Sequence, residues 1–221
     1  MRDFRSFFSL DQLQTYQAGT LKFSYKGVPC LKSPIDVALY LNLLGTARPA
    51  TLFEIGSKAG GSALLFRDFA RLHGLGAQIV SIDINPPDTG PGWDGIRFVK
   101  GDVNDLRQTF SLHSLGSLPR PWLVVEDSAH TYFGCLATLD FFSDALLAGE
   151  YLVMEDGILD ELGLSERYDG GPNRAIADHF LKHPDIWEID TDYCDMFGRN
   201  ATYNPNGYLR RKEAKWSIRS K

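Results

Sequence analysis

Short apolar runs alternate along the chain with amphipathic segments of helical period. The runs predict buried strands at residues 51–55, 78–83, 96–99, 122–127 and 151–157. The amphipathic segments predict helices from Pro34 to Gly45, from Gly61 to Gly74, across residues 136–146 and from Pro172 to Pro184. Residues 187–193 and 208–212 suit a closing antiparallel pair. Strands that alternate with helices form a parallel sheet covered on both faces, so the pattern predicts an α/β fold.

The first 33 residues do not follow this pattern. Residues 1–33 have weak periodicity, and residues 25–34 contain two prolines and a glycine, which favours an extended leader across the domain surface. Residues 34–221 are predicted to form a single domain, because a chain of 221 residues requires no second core. Residues 158–171 hold several acids and three glycines, and they are predicted to be a mobile flap over the strand ends.

Composition and charge argue against a nucleic-acid-binding, membrane-spanning or secreted protein. A net charge of −5 argues against a nucleic-acid partner, and no apolar run approaches the roughly 18 residues that span a membrane. The N-terminal residues lack the apolar stretch of a signal peptide, so a cytoplasmic location is expected. Three cysteines far apart in sequence support neither a zinc site nor a disulfide framework. The oligomeric state, including a homo-oligomer, stays open.

A glycine-rich turn follows the first predicted strand. Its pattern is G-x-x-x-G-G, whereas dinucleotide enzymes have G-x-G-x-x-G, and Glu54 stands where a pyrophosphate would be repelled. An acid there suits a ligand with positive charge and hydroxyl donors, which describes S-adenosylmethionine (SAM) better than NAD. The alternative is a glycine-rich turn without a ligand. The residues predicted to hold SAM are Glu54, Gly56, Ser57, Gly60, Gly61 and Ser62.

Two further acids end the next predicted strands. Asp83 lies one βαβ unit after Glu54, where a carboxylate can accept both hydroxyls of a ribose, although a turn aspartate is the alternative. Asp102 or the backbone of Val103 is placed to hydrogen-bond a purine edge, and a turn before a helix cap explains the same residues equally well.

Three acids end the fourth and fifth predicted strands. Asp127 ends one strand, and Glu155 and Asp156 end the other. If these strands are neighbours, about 4.8 Å apart, the carboxylates converge and a bound cation offsets their repulsion. Oxygen ligands select a hard ion such as Mg²⁺. The alternative is that the acids cap helices or face solvent separately.

Histidines supply the candidate bases. His130 lies three residues after Asp127, and neutral imidazole accepts protons near pH 7, so it is either a general base or a structural histidine. His179 and His183 have the i, i+4 spacing of a zinc-binding histidine pair on a helix. Phe180 stands where a zinc metalloprotease has its catalytic glutamate, so we expect the two histidines to have surface or packing roles.

With these motifs in order, the sequence resembles the cephalosporin hydroxylase/rhamnosyl O-methyltransferase family of class I SAM-dependent methyltransferases. The resemblance covers residues 25–181, through the leader G-V-P-x-x-K-x-P-x-D, the glycine turn at residues 54–63, the acidic segments at 126–132 and 151–156, and the G-P helix start at 171–175. It implies a Rossmann-like fold with a seven-stranded, mostly parallel sheet and a closing antiparallel strand. It also implies SAM at the glycine turn, Asp83, Asp102 and Val103, and magnesium at Asp127, Glu155 and Asp156.

The predicted function is a Mg²⁺-dependent SAM O-methyltransferase. Its acceptor is a hydroxylated small molecule, a sugar or an oxygenated natural product, that chelates the metal through neighbouring oxygens while His130 removes the proton. Catechol-type O-methyltransferases have lysine where this chain has His130. The alternatives are a catalytically silent SAM-binding subunit and an accessory to a hydroxylation. The latter is disfavoured because the sequence shows no clear triad of two histidines and a carboxylate for iron.

Overall fold

The computed structural model describes residues 2–88 and 92–213. Its strands, in chain order, are β1 Ser24–Tyr25, β2 Val28–Pro29, β3 Thr51–Ile55, β4 Gln78–Asp83, β5 Ile96–Lys100, β6 Trp122–Glu126, β7 Tyr151–Met154, β8 Trp187–Ile189 and β9 Tyr208–Arg211. Its α-helices are α1 Leu10–Thr20, α2 Pro34–Ala47, α3 Gly61–Leu72, α4 Leu106–Leu112, α5 Tyr132–Ala145, α6 Gly171–Lys182 and α7 Thr191–Cys194.

Seven of these strands form one sheet in the order β5-β4-β3-β6-β7-β9-β8. Strands β3 to β7 are parallel, whereas β9 pairs antiparallel with both β7 and β8. The predicted α/β fold, mostly parallel sheet and closing antiparallel pair are confirmed. The chain runs outward from β3 in one direction and from β6 in the other, and ligands in such sheets bind beyond the strand ends at this switch point.

The two central strands are buried on both faces. Successive side chains of a strand point to opposite faces, so Leu52 and Leu123 pack with α2 and α3, whereas Phe53 and Val124 pack with α4 and α5. Every residue of β3 and β6 is buried, which explains their continuous apolar runs.

Strand ends differ slightly from the prediction. β6 ends at Glu126 and β7 at Met154, so Asp127, Glu155 and Asp156 stand just beyond the strands. Backbone hydrogen bonds continue briefly past the ends: the Asp127 N–H donates to Ile55 O over 2.8 Å, and the Glu155 N–H donates to Glu126 O over 3.0 Å. Hydrogen bonds to the neighbouring strand therefore hold the backbone of Asp127 and Glu155 at the point where each loop begins. Residues 214–221 of the predicted domain lie outside the described residues.

The predicted leader contains α1 and the small β1–β2 hairpin, and it packs on α3. The Tyr25 hydroxyl donates to Asp68 Oδ2 over 3.0 Å, and the Lys26 ammonium pairs with the same carboxylate. A Cβ atom placed on Gly61 would lie 2.2 Å from the Pro29 carbonyl oxygen. The leader backbone thus approaches the first turn of α3 at a distance that only glycine permits.

Asp36 joins the start of α2 to the loop before β9. Its buried carboxylate accepts hydrogen bonds from the Thr202 hydroxyl, the Tyr203 N–H over 2.9 Å and the Tyr208 hydroxyl over 3.1 Å. Burial raises the pKa of Asp36, and these donors oppose the rise. The segment after the leader is therefore held by residues close to the end of the described chain.

All three cysteines are buried and unpaired. Within residues 2–88 and 92–213, no helix combines the length and the apolar character that crossing a bilayer requires.

The contact at Gly61 gives a stability prediction. Gly61→Ala should destabilise the protein by about 1–3 kcal/mol, because the added methyl group collides with the Pro29 backbone. Urea unfolding measures the change, and limited proteolysis reports whether the leader is displaced. Gly76→Ala is the matched control, since its Cβ atom would meet nothing within 4 Å. Equal unfolding midpoints for the two variants would contradict the close approach.

Candidate functional site

A cavity of about 810 Å³ opens at the carboxyl ends of the parallel strands. The loops after β3, β4, β5 and β6 form one part of its wall. The leader, the predicted flap and the loop before β9 form the rest. The lining residues from the sequence-predicted site are Gly56, Ser57, Ser62, Asp83, Asp102, Val103, Asp127, His130 and Asp156.

The glycine turn has two different structural roles. Gly56 lines the cavity with a φ of +101°, and a Cβ atom there would lie 2.2 Å from the Asp127 carbonyl oxygen. Gly60 and Gly61 are not among the lining residues. A Cβ atom on Gly60 would meet the Trp93 ring at 2.9 Å, so both glycines serve close packing against neighbouring segments.

Glu54 is buried at the end of β3 behind this turn. One carboxylate oxygen accepts a hydrogen bond from the Ser81 hydroxyl, which also lies 2.7 Å from Ser57 Oγ. The other oxygen, Oε1, is buried without a partner among the described residues. Burial raises the pKa of Glu54 to about 7. An unpaired buried oxygen beside the turn fits a ligand that brings donors or positive charge.

Asp83 and Asp102 line the cavity, and their carboxylates already accept hydrogen bonds from backbone N–H groups. Asp83 Oδ2 accepts the N–H groups of Ser57 and Lys58 over 2.8 and 3.1 Å, and its Oδ1 accepts from Asn85 over 2.8 Å. Asp102 Oδ1 accepts from the Asn104 backbone over 2.9 Å. Asp83 therefore fixes the glycine turn and faces a ligand with the lone pairs that remain.

The structure brings the three predicted metal acids together. β6 and β7 are paired neighbours, as the metal prediction required. The Lys32 ammonium lies between two of the acids, where it contacts Asp127 Oδ2 and lies 2.6 Å from Glu155 Oε2. The Tyr40 hydroxyl donates to the other oxygen of Glu155. Both oxygens of Glu155 are thus engaged, so it can ligate a metal only by giving up one partner.

Burial shifts the pKa values of the groups in this cluster. Burial, reinforced by Asp127, raises the pKa of Glu155 well above its usual range. For Lys32, burial alone would lower the pKa, but Asp127 and Glu155 raise it well above its ordinary value. Burial also raises the pKa of neighbouring Glu126 to about 7. Acids outnumber cations here, which favours binding of an additional cation.

His130 completes the cluster. Its Nε2 atom lies 3.0 Å from Asp156 Oδ2 and 3.9 Å from Asp127 Oδ1, while its buried Nδ1 atom has no partner among the described residues. His130 and Asp156 adopt left-handed backbone conformations, with φ of 55° and 61°. Ligand atoms of Asp127, His130 and Asp156 all lie within 4.8 Å of one another, so this set fits a divalent cation.

A second cluster lies outside the cavity. Asp140, His179 and His183 also bring ligand atoms within 4.8 Å of one another, a grouping that the sequence did not make clear. His179 is buried beside Ser143 Oγ at 3.1 Å, and His183 is exposed. Their predicted packing and surface positions agree with this burial. None of the three lines the cavity.

Sequence reasoning missed Lys32 and Tyr40 as members of the site. The signal for Lys32 was present, because it is the lysine of the G-V-P-x-x-K-x-P-x-D leader. Tyr40 lies inside an apolar helix pattern, and its sequence gives no sign that its hydroxyl reaches an acid more than a hundred residues away.

Comparisons with known proteins point to one family. The profile described as "Rhamnosyl O-methyltransferase/CmcI" matches residues 17–212. A rhamnosyl O-methyltransferase of Mycobacterium leprae is 30% identical over 192 residues, which cover 86% of this chain and 83% of that protein. A rhamnosyl O-methyltransferase of Mycobacterium bovis is 27% identical and covers 86% and 78%.

Solved structures agree with this assignment. An apo structure of CmcI is 27% identical, with a TM-score of 0.71 over 88% of this chain and 78% of that one. A CmcI structure with Mg and SAM is 24% identical, with a TM-score of 0.68 over 86% and 77%, and it supports the fold. The predicted class I methyltransferase fold is confirmed, and so is the predicted class of enzyme, an O-methyltransferase. The chain therefore belongs to the rhamnosyl O-methyltransferase/CmcI family.

Proposed function

We propose that the chain transfers a methyl group from SAM to a hydroxyl of a sugar or sugar-bearing natural product, with Mg²⁺ as cofactor. The observation that carries the proposal is the set of Asp127, His130 and Asp156 on the wall of a cavity that the glycine turn also lines. Relatives named rhamnosyl O-methyltransferases support a sugar acceptor, and a CmcI structure with Mg and SAM supports the cofactors.

SAM is proposed to lie along the loops after β3, β4 and β5. Gly56, Ser57 and Ser62 would contact its amino-acid end, with the Glu54 carboxylate behind them. Asp83 would accept the ribose hydroxyls with its remaining lone pairs, and Asp102 and Val103 would contact the adenine. The contacts of Gly60 and Gly61 with SAM stay predictions, and both glycines also pack closely against neighbouring segments.

Magnesium is proposed to lie at Asp127, Glu155 and Asp156, where Glu155 would exchange one of its present partners for the ion. When bound, Mg²⁺ lowers the pKa of an acceptor hydroxyl as a Lewis acid. His130 Nε2 lies 3.0 Å from Asp156 Oδ2. His130 is proposed to take the acceptor proton on a ring nitrogen, and Asp156 would stabilise the charged ring that results.

The remaining walls are proposed to hold the acceptor and exclude water. Leu31 and Leu21 of the leader line the cavity together with Leu159, Leu164 and Tyr168 of the predicted flap. Two short 3₁₀ turns, Gly157–Leu159 and Ser165–Tyr168, lie in this part of the chain. These apolar and aromatic groups suit the ring face of a sugar and the body of its aglycone. The cytoplasmic location stays a prediction, and the oligomeric state stays open.

The magnesium site predicts the effect of removing its acids. Asp127→Asn and Asp156→Asn should each lower Mg²⁺-dependent methyl transfer by at least about 100-fold, because a cation loses a charged ligand. Transfer of labelled methyl from SAM to a panel of rhamnosides and other glycosides, with Mg²⁺ or with EDTA, measures the effect. Asp144→Asn, an exposed acid on α5, is the control. Full activity of either site variant in EDTA would refute the magnesium role.

The proton-transfer role of His130 predicts a separate change. His130→Gln should lower kcat by about 10²–10⁴-fold and leave SAM affinity unchanged, because the ring acts on the acceptor and not on the methyl donor. Single-turnover assays and SAM calorimetry distinguish these quantities. His183→Gln changes an exposed histidine outside the cavity and should behave like the wild type. A His130→Gln enzyme with normal kcat would exclude the histidine as the base.

The raised pKa of Glu54 predicts a pH dependence of SAM binding. Glu54 has a pKa of about 7, so it is largely protonated at pH 6 and ionised at pH 8. The ionised form attracts the positively charged donor, so SAM affinity should rise about tenfold as pH increases through 7. Calorimetry from pH 6 to pH 8 tests this, with Glu54→Gln expected to show less than about a threefold change. Parallel profiles for the two proteins would contradict the role.

A further inference from the structure

Asp140, His179 and His183 form a second cluster of metal-binding side chains, and the chemistry proposed above uses none of them. Asp140 lies on α5, His179 lies on α6, and His183 directly follows the last residue of α6. One ligand atom of each residue lies within 4.8 Å of the other two. Two packed helices therefore bring three donors together at a place outside the cavity.

His179 is the buried member of this cluster. Its side chain is only 1% exposed, and its Nε2 atom lies 3.6 Å from Asp140 Oδ1 and 3.1 Å from Ser143 Oγ. Its Nδ1 atom is buried without a hydrogen-bond partner among the described residues. A buried polar atom without a partner costs free energy. The ring can therefore bind a further group through this atom without losing a hydrogen bond.

The other two donors lie at the surface and are free to rotate. The Asp140 side chain is 60% exposed, and His183 is exposed. The ring centroids of His179 and His183 are 4.9 Å apart, which is the arrangement of two side chains one turn apart on the same helix face. In a tetrahedral zinc site with bonds of about 2.0–2.1 Å, the ligand atoms lie roughly 3.3 Å from one another. Small rotations of the exposed side chains therefore bring the three donors to that spacing.

The donor set selects the kind of ion. Two imidazoles and one carboxylate suit a late first-row divalent ion such as Zn²⁺, whereas Mg²⁺ and Ca²⁺ prefer oxygen ligands. Three protein ligands leave the fourth tetrahedral position to water. The cluster therefore fits zinc and does not duplicate the magnesium site at the strand ends.

We propose that Asp140, His179 and His183 bind Zn²⁺ and thereby join the end of α6 to α5. The other end of α6 holds the predicted flap, because the Asn173 side-chain amide donates to Asp160 Oδ2 over 2.8 Å. Bound Zn²⁺ restrains the helix from which the flap is held. The ion has a structural role and takes no part in methyl transfer.

Calorimetry with Zn²⁺ in excess Mg²⁺ tests the site. His183→Gln and Asp140→Asn should each weaken Zn²⁺ binding by at least about tenfold, because each removes a direct ligand and even outer-shell partners have effects of that size. Both residues are exposed, so both variants should fold. The matched controls are His113→Gln, a histidine outside the cluster, and Asp144→Asn, an exposed acid one turn further along α5.

Two further measurements locate the ion. Zn²⁺ should raise the melting temperature of the wild type and slow hydrogen exchange in α5 and α6, since a ligand of the native state stabilises the segments that it joins. His183→Gln should abolish both effects and should melt like the wild type in EDTA. Asp156→Asn changes the proposed magnesium site and should keep both effects.

Each result decides for or against the zinc site. Unchanged Zn²⁺ affinity in His183→Gln or in Asp140→Asn overturns the proposal, and so does a wild type that binds no Zn²⁺. Loss of Zn²⁺ binding in Asp156→Asn alone would place the ion in the cavity and would also overturn it. None of these measurements depends on methyl transfer, so their outcome leaves the function proposed above untouched.

Discussion

The structure depends on a concentration of buried carboxylates at the carboxyl ends of its central strands. Glu54, Glu126 and Glu155 are all buried there, and burial raises the pKa of each. Such a cluster is stable only if hydroxyls, ammonium groups or metal ions compensate it. Ser81, Ser128 and Tyr40 donate to these acids, and Lys32 adds a positive charge. These carboxylates can therefore stay buried because distant parts of the chain donate hydrogen bonds and a positive charge to them.

The leader is part of this compensation rather than a simple cover. Its hairpin packs on α3 at Gly61, its lysine reaches the acids, and the helix that follows it is held through Asp36 by the loop before β9. The cavity wall is thus assembled from both ends of the described chain. The sequence pattern separates a leader from the rest of the chain, whereas in the structure both parts line one cavity.

Local patterns were enough to predict the fold and to name most of the candidate residues that line one cavity. The apolar runs located the five parallel strands, and the position of Asp127 and Glu155 after them follows from strand alternation with helices. The convergence of these acids follows because β6 and β7 are neighbours. What could not be predicted depends on long-range contacts. The glycines of one motif have different positions: Gly56 lines the cavity, whereas Gly60 and Gly61 pack against neighbouring segments. The sequence does not distinguish these positions, because they depend on contacts with distant residues.

The separation of Lys32 from its partners along the chain has a consequence for biosynthesis. Lys32 precedes Asp127 by 95 residues and Glu155 by 123. A ribosome produces the lysine long before either acid exists, and contacts of such sequence separation form late because of the entropy of closing the loop. The contacts of Lys32 can therefore form only after β7 has emerged, whereas the leader's contacts with Asp68 need only α3. During that interval the lysine has no carboxylate partner, and the segment around it is open to chaperones and proteases.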